Sequence, residues 1–316
     1  MTTCRRLLPA VLACALLAAA FGVPARSQMT IETAAKPTVG IAEQDDPMFS
    51  DPRFKALKIT HARIDAAWDV LRDPAQAAAF DAYLQAAHQD NIDVLVTFDH
   101  SRRDGRASIN PTPAQMVTEM QKIRKRWPWV HEFSTWNEVN IAKHPDIVAR
   151  WWMAMTKACP TCTILGGDLL DRSTMSNRPK DAIVSIKLWL KGFFKVTKGR
   201  QPAVWGLHNY TDANNFRTDV TAAMLTLVKG RVWFTETGGL VARHNHSPFR
   251  LPEGLGHAAN AIKFILTKLD RLSSRIQRVY LYQWDGAATT WDSAFVNGQG
   301  AARPSLTYLS RFLTGK

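Results

Sequence analysis

Two glutamates carry the strongest chemical signal in this sequence. Glu138 closes the segment Trp136-Asn137-Glu138, and Glu236 lies in Trp233-Phe234-Thr235-Glu236-Thr237-Gly238. Each follows a short β-rich apolar run, so each sits where a strand gives way to a loop. Two carboxyl groups can divide acid–base and nucleophilic work when different surroundings push their pKa values apart. Breaking an acetal needs that division: one carboxyl protonates the leaving oxygen while the other attacks the carbon. Retention of configuration asks for the pair to stand about 5–5.5 Å apart. Other reactive side chains fall at similar run ends: Arg63, Asp99, His100, Asp168, His208, Tyr210 and Trp284. Each also has an ordinary reading. The glutamates could be ion-pair residues at loop starts, and Arg63 could form a structural salt bridge with Asp65 or Asp99. His208 could be a satisfied core histidine and Trp284 a packing residue. For Asp99, His100 and Asp168 the structural and substrate-binding readings weigh equally.

The elements that must hold these groups follow one rhythm: apolar run, polar loop, amphipathic helix. Strands are expected over 39–42, 59–64, 94–98, 133–136, 163–165, 204–207, 232–235 and 279–283. Helices are expected over 73–87, 112–126, 145–158, 181–194, 218–228, 257–272 and 304–313, and the connection 43–58 has the weakest helical pattern. Strand–helix alternation implies parallel strands with right-handed crossovers. Eight such units predict a single-domain (β/α)8 TIM barrel of the α/β class. An open doubly wound sheet that binds a nucleotide would need a Gly-rich first turn, which Gly40-Ile41-Ala42-Glu43 does not provide. In a barrel the C-terminal strand ends share one rim, so Glu138 on strand four and Glu236 on strand seven would face each other across its mouth.

With these motifs placed, the sequence resembles clan A of the glycoside hydrolases, a group of retaining glycosidases. Asn137-Glu138 is similar to the clan's acid/base motif, and Thr235-Glu236 to its nucleophile strand. His208-Asn209-Tyr210 is similar to the strand-six His-x-Tyr, and Trp284 to the strand-eight Trp. Within the clan the chain looks most like the family 39 group of β-xylosidases and exopolysaccharide hydrolases. The resemblance implies Glu138 as acid/base, Glu236 as nucleophile and Asn137 as partner of the sugar 2-hydroxyl. It implies that Tyr210 and Arg63 hold Glu236, that His208 meets substrate or Glu138, and that Trp284 offers an apolar face to the sugar ring. The sequence departs from the pattern at Val139-Asn140, where the motif often continues with Pro, and no additional β-domain is visible.

The start of the chain reads as an export signal over 1–25. Arg5 and Arg6 precede an apolar run, and Val23-Pro24-Ala25 offers small residues for cleavage. Residues 26–37 then form an extended N-terminal segment, and 38–316 the catalytic barrel. Cleavage predicts a secreted, periplasmic or cell-envelope protein without stable membrane insertion; an uncleaved anchor is the alternative. No other stretch is long and apolar enough to span a bilayer. Cys4 and Cys14 leave with the leader, and Cys159 and Cys162 are expected to form a small local disulfide. A thioredoxin-like pair would need Cys159 at a helix N-terminus, whereas it follows a predicted helix.

The formal charge is +13, or +11 once the two leader arginines are removed. That balance suits adhesion to anionic glycans, envelope polymers or lipid head groups, and equally suits solubility. No nucleic-acid motif is present. The basic run from Lys122 to Arg126 falls on a predicted helix as a solvated face. The loops 44–57, 101–111, 169–180 and 240–256 are long enough to wall a groove, and they carry Arg102, Arg103, Arg172, Arg243 and His246. They predict an endo-type cleft for a carbohydrate substrate, an anionic polysaccharide included. No cofactor is expected. A metal-dependent hydrolase or isomerase could gather Glu138, Asp168, His208 and Glu236 round a divalent cation, but no tight ligand spacing supports it. A glycan-binding barrel without catalysis is the remaining alternative.

Overall fold

Along each strand of this protein, alternate side chains point into the barrel and out toward the helices. The computed structural model describes residue 1 and residues 36–243, 250–286 and 290–315. Residue 1 apart, the leader expectation lies outside the described residues, as do residues 26–35 of the expected N-terminal segment and His246. Residues from Ala34 to Lys316 form one unit.

The strands in chain order are β1 (Thr38–Ala42), β2 (His61–Ala67), β3 (Asp93–Asp99), β4 (Glu132–Ser134), β5 (Thr163–Leu165), β6 (Asp168–Leu170), β7 (Val204–His208), β8 (Arg231–Thr237), β9 (Ala242–Arg243), β10 (Ile276–Tyr282), β11 (Asp285–Gly286), β12 (Trp291–Asp292) and β13 (Val296–Asn297). Nine of them form one parallel sheet in the order β5-β4-β3-β2-β1-β10-β8-β7-β6. Its two ends, β5 and β6, are separated only by Gly166 and Gly167, so they are halves of one broken stave. Gly166 donates to the Val204 carbonyl at 3.3 Å and Gly206 to the Gly167 carbonyl at 3.2 Å, which closes the seam. Gly167 has a φ of 114°, a conformation that only glycine adopts readily. The eight-stave (β/α)8 barrel expected from the sequence is therefore present. All eight expected strands exist, and the break in the fifth is an addition.

The helices form where local sequence chemistry directs. Pro74, Pro113, Pro145, Pro179 and Pro304 open long helices, where a missing N–H costs nothing. Asp73 caps the helix Pro74–Gln89, and Thr112 with Gln115 makes a capping box on Pro113–Arg126. The weak first connection holds two short helices, Pro47–Ser50 and Pro52–Leu57. The helix expected over 257–272 spans Leu255–Thr267, followed by a 3-10 turn over Leu269–Arg271. Two short helices, Val139–Ala142 and Tyr210–Asn214, follow site strands directly and were not expected. Cys159 and Cys162 are disulfide-bonded just beyond the helix Pro145–Ala158, with Cα atoms 5.3 Å apart.

Outward residues such as Ile64, Val96, Phe133, Leu207 and Phe234 pack with the helices, as do Trp151, Trp152 and Trp189. Burying each large apolar side chain contributes roughly 1.5–3 kcal/mol. Inward residues Ala42, Leu95, Leu165, Val204, Trp233 and Tyr280 form a smaller core inside the barrel. No helix among the described residues is long and apolar enough to cross a membrane.

Inward space is tight where the core meets the site. A Cβ on Gly206 would stand 2.0 Å from an Asp168 carboxylate oxygen and 2.7 Å from the Thr235 hydroxyl. Gly206→Ala should therefore lower stability by at least about 1–3 kcal/mol, the usual cost of overpacking. A fall in the urea midpoint at unchanged slope would register it; an unaltered midpoint would show that Asp168 has room to move.

Candidate active site

The site is built around one buried cation. Arg63 is on β2, on the inward register, and is fully buried. Its Nη1 donates to Glu236 Oε2 at 2.7 Å, and its Nη2 to Asn137 Oδ1 at 2.9 Å and Asp168 Oδ2 at 3.0 Å. Its Nε donates to the Thr97 hydroxyl at 3.0 Å. Burial works against the guanidinium charge, but Asp168 and Glu236 outweigh it and hold the proton more firmly than usual. Its ion-pair partners are thus Asp168 and Glu236, rather than the Asp65 or Asp99 that a local salt bridge would use.

Asp168 lies beneath the rim with no exposure, which departs from the substrate-binding reading. It accepts from Ser134 at 2.8 Å and Thr97 at 3.1 Å as well as from Arg63. Burial alone would raise its pKa, yet Arg63 and His208 hold the carboxyl well below the usual range. His208 Nε2 is 3.5 Å from Asp168, and Nδ1 is 3.4 Å from Glu138 Oε1. Burial disfavours a charged imidazole, but Glu236, Asp168 and Glu138 push its pKa up to about 9. These carboxylates favour the protonated imidazole over the neutral one.

Glu236 reaches the mouth through an irregularity. Trp233 and Thr235 point inward on β8, so strict alternation would send Glu236 outward. Between β7 and β8 the partner of Gly206 is Trp233, but the partner of His208 is Glu236, one residue further along than regular pairing gives. A matching shift occurs against β10. An extra residue of this kind re-aims a side chain, and here it turns Glu236 into the barrel. Tyr210, on the first turn after β7, then donates its hydroxyl to Glu236 Oε1 at 2.9 Å. Burial and the Glu236 charge hold the Tyr210 proton well above its ordinary range. Glu138 has φ 45° and ψ 47°, a left-handed conformation for a non-glycine residue. Such geometry costs about 1–3 kcal/mol and concentrates at functional sites. Neighbouring Trp136 anchors the turn, stacked 4.9 Å from Trp151.

Glu138 and Glu236 line one cavity of about 260 Å³ with Tyr210, Tyr282, Arg172, Arg243 and Trp291. Arg63, Asn137, His208 and Asp168 support them from below. Asp99 and His100 pair with each other at 2.9 Å on the stave-three rim and do not line this cavity. Beside them Asp65 is pushed up to about 8 by burial and then by the Asp99 charge. Trp284 does not reach the cavity, contrary to the stacking role expected of it. It is 3% exposed, packs edge-on to Phe54 at 5.4 Å and donates from Nε1 to Asp51 at 3.2 Å. The cavity's indole is Trp291, on β12, which pairs with β9 and meets Tyr210 at 4.9 Å. Trp291 follows the last strand in an aperiodic loop, so no pattern marked it in the sequence. Glu43 is structural: its carboxylate accepts from the Trp284 and Asp285 amides at 2.8 and 3.1 Å, joining the first and last staves.

Among the described residues no group of His, Cys, Asp and Glu is disposed to hold a metal ion. Of the four residues of the metal reading, Asp168 and Glu236 already bond the Arg63 cation, and Glu138 contacts His208 instead.

No protein-family model matches the sequence, and no curated protein matches it. Fold comparison does find similar structures. A family 39 glycoside hydrolase from Bacteroides cellulosilyticus has a TM-score of 0.56 at 13% identity, over 87% of this chain and 63% of that one. A GH5_18 protein from Streptomyces cattleya, solved with GlcNAc, gives 0.60 at 14%, over 89% and 80%. The intracellular xylanase TsXylA from Thermoanaerobacterium saccharolyticum gives 0.58 at 11%, over 87% and 95%. The chain has the barrel fold of these glycoside hydrolases. It spans less than two thirds of the family 39 protein's length.

Two outcomes follow from the buried network. Arg63→Met should cost about 3–5 kcal/mol by taking from the buried Asp168 and partly buried Glu236 charges their closest cation and leaving Asp168 only the longer His208 contact; a chemical-denaturation midpoint equal to the parent's would refute this. His208 has a raised folded pKa, so its charge stabilises fully below its ordinary 6.5 and that stabilisation fades as pH rises through about 9. The stability gap between the parent and His208→Asn should therefore be wide at pH 6 and narrow at pH 10. A gap that does not change with pH would mean that His208 is neutral throughout.

Proposed function

We propose that this protein is an exported retaining glycoside hydrolase that cleaves O-glycosidic bonds of a poly- or oligosaccharide by double displacement. The observation that carries the reading is that Glu138 and Glu236 share one cavity while their supports differ. Both oxygens of Glu236 are held, one by Arg63 and one by Tyr210. Among the described residues Glu138 is held by only a long contact to His208, 3.4 Å from its Oε1, and remains partly exposed. The fixed carboxylate suits a nucleophile, and the solvent-facing one suits a group that exchanges protons with leaving group and water.

In the first step Glu236 attacks the anomeric carbon as Glu138 protonates the departing oxygen. In the second, Glu138 takes a proton from water, which attacks the same carbon and releases Glu236. Asn137 gives its Oδ1 to Arg63, which leaves its amide N–H groups to donate to the sugar hydroxyl next to that carbon. Trp291 offers an apolar ring at the cavity wall. Arg172 and Arg243 line the same cavity, and burial, then the Arg172 charge, lower the Arg243 pKa. Two converging guanidinium groups favour an anionic glycan, such as one bearing uronic acid carboxylates. Among proteins of similar fold, one from Dictyoglomus thermophilum is a β-D-glucuronidase, 12% identical. The N-terminal basic and apolar pattern supports export.

Glu236→Gln should abolish turnover while the barrel still folds, with lowered stability because Arg63 loses one carboxylate partner; full activity would end the proposal. Glu138→Ala should slow substrates with poor leaving groups most, with azide restoring part of the rate on activated aryl glycosides. Neutral and uronic-acid polysaccharides screened beside aryl glycosides decide the substrate. Activity confined to aryl monoglycosides would refute action within a polymer chain.

A further inference from the structure

We propose that the outer helix Pro179–Thr197 is a docking face for the surface of an anionic lipid bilayer. The exposed positions from the first turn of this helix to its C-cap are Lys180, Val184, Lys187, Leu188, Lys191, Lys195 and Lys198. Their spacings of three and four residues put them on one stripe, about 27 Å long at 1.5 Å per residue. Every member is a lysine or an aliphatic residue. Val184 and Leu188 are 49% and 63% exposed, one turn apart, between the lysines.

The acids nearby are already engaged or lie off the stripe. Asp181, at the start of the helix, is held by Arg178 at 2.8 Å. The helices packed on either side are Pro145–Ala158 and Asp219–Leu227. The first carries Asp146, held by Arg150 at 2.8 Å, and the second carries Asp219 at its N-terminus. An ordinary solvated helix face mixes both signs of charge, and this one presents only positive charge.

The two aliphatic residues decide the kind of partner. A hydrated polyanion offers nothing to exposed Val and Leu. At a bilayer, aliphatic groups settle below the head groups while lysine stems extend back to the phosphates. A straight stripe on the barrel's flank matches a flat surface. The mouth with Glu138 and Glu236 is at the end of the barrel, so docking on the flank leaves it open.

The experiment is co-sedimentation of the full chain with phosphatidylcholine vesicles, with and without phosphatidylglycerol, across a salt series. The variants are Lys187→Glu/Lys191→Glu/Lys195→Glu and, at unchanged charge, Leu188→Ser. Each lysine near an anionic surface contributes roughly a fivefold gain in partition, so the triple variant should lose at least roughly 100-fold. Leu188→Ser should also bind more weakly, and salt should release the parent. The N-terminal segment is common to all the proteins, so differences between them report the helix face. Melting curves check that each variant is folded. Equal binding by parent and folded triple variant, or salt-insensitive binding by the parent, would overturn the proposal. Loss of binding to a soluble anionic polysaccharide in the triple variant, with vesicle binding unaltered, would overturn it in favour of a glycan partner.

Discussion

The guanidinium of Arg63 is a full charge with no exposure to water, and the site is the set of groups that make that tolerable. A buried ion is stable only when its partners satisfy it closely. Arg63 meets this with Asp168 below, Glu236 above, and Asn137 and Thr97 at its sides. Each partner then imposes its own demand. Asp168 needs Ser134 and Thr97 for its oxygens and the empty volume of Gly206. His208 is drawn between Asp168 and Glu138, and the surrounding carboxylates raise its pKa. One charge on β2 thereby fixes side chains from five other strands.

Two departures from regular backbone bring the glutamates to this network. The extra residue in β8 turns Glu236 inward, and the left-handed turn at Glu138 bends the chain four residues beyond the end of β4. Strain of this kind persists only where surrounding packing holds it. Trp136 stacked on Trp151 and the Arg63 network are the packing that does so. The rim is also polarised. Asp65 and Asp99 crowd together on the side of staves two and three, while Arg172 and Arg243 line the cavity opposite.

Much of this was legible in the residues alone. Period-two apolar runs alternating with amphipathic helices specify parallel strands, and eight of them specify a barrel whose strand ends share a rim. That logic located Arg63, Asn137, Glu138, His208, Tyr210 and Glu236 at one end of the molecule, because hydrophobic periodicity is a local property of the chain. Helix starts were equally legible, since proline and capping side chains act within one turn.

What the sequence could not decide was direction at each strand end. Asp168 and Trp284 have the residue types of a sugar site, yet one lies under the floor and the other in the core, because their neighbours in space are far away in the chain. Trp291 takes a place in the cavity wall through the pairing of β9 with β12, a contact between two loops that leaves no periodic trace. Glu236 would face the helices if β8 were regular, and only the register of its neighbouring strands shows the added residue. Local chemistry determines which elements form; long-range packing and strand register determine which side chains meet.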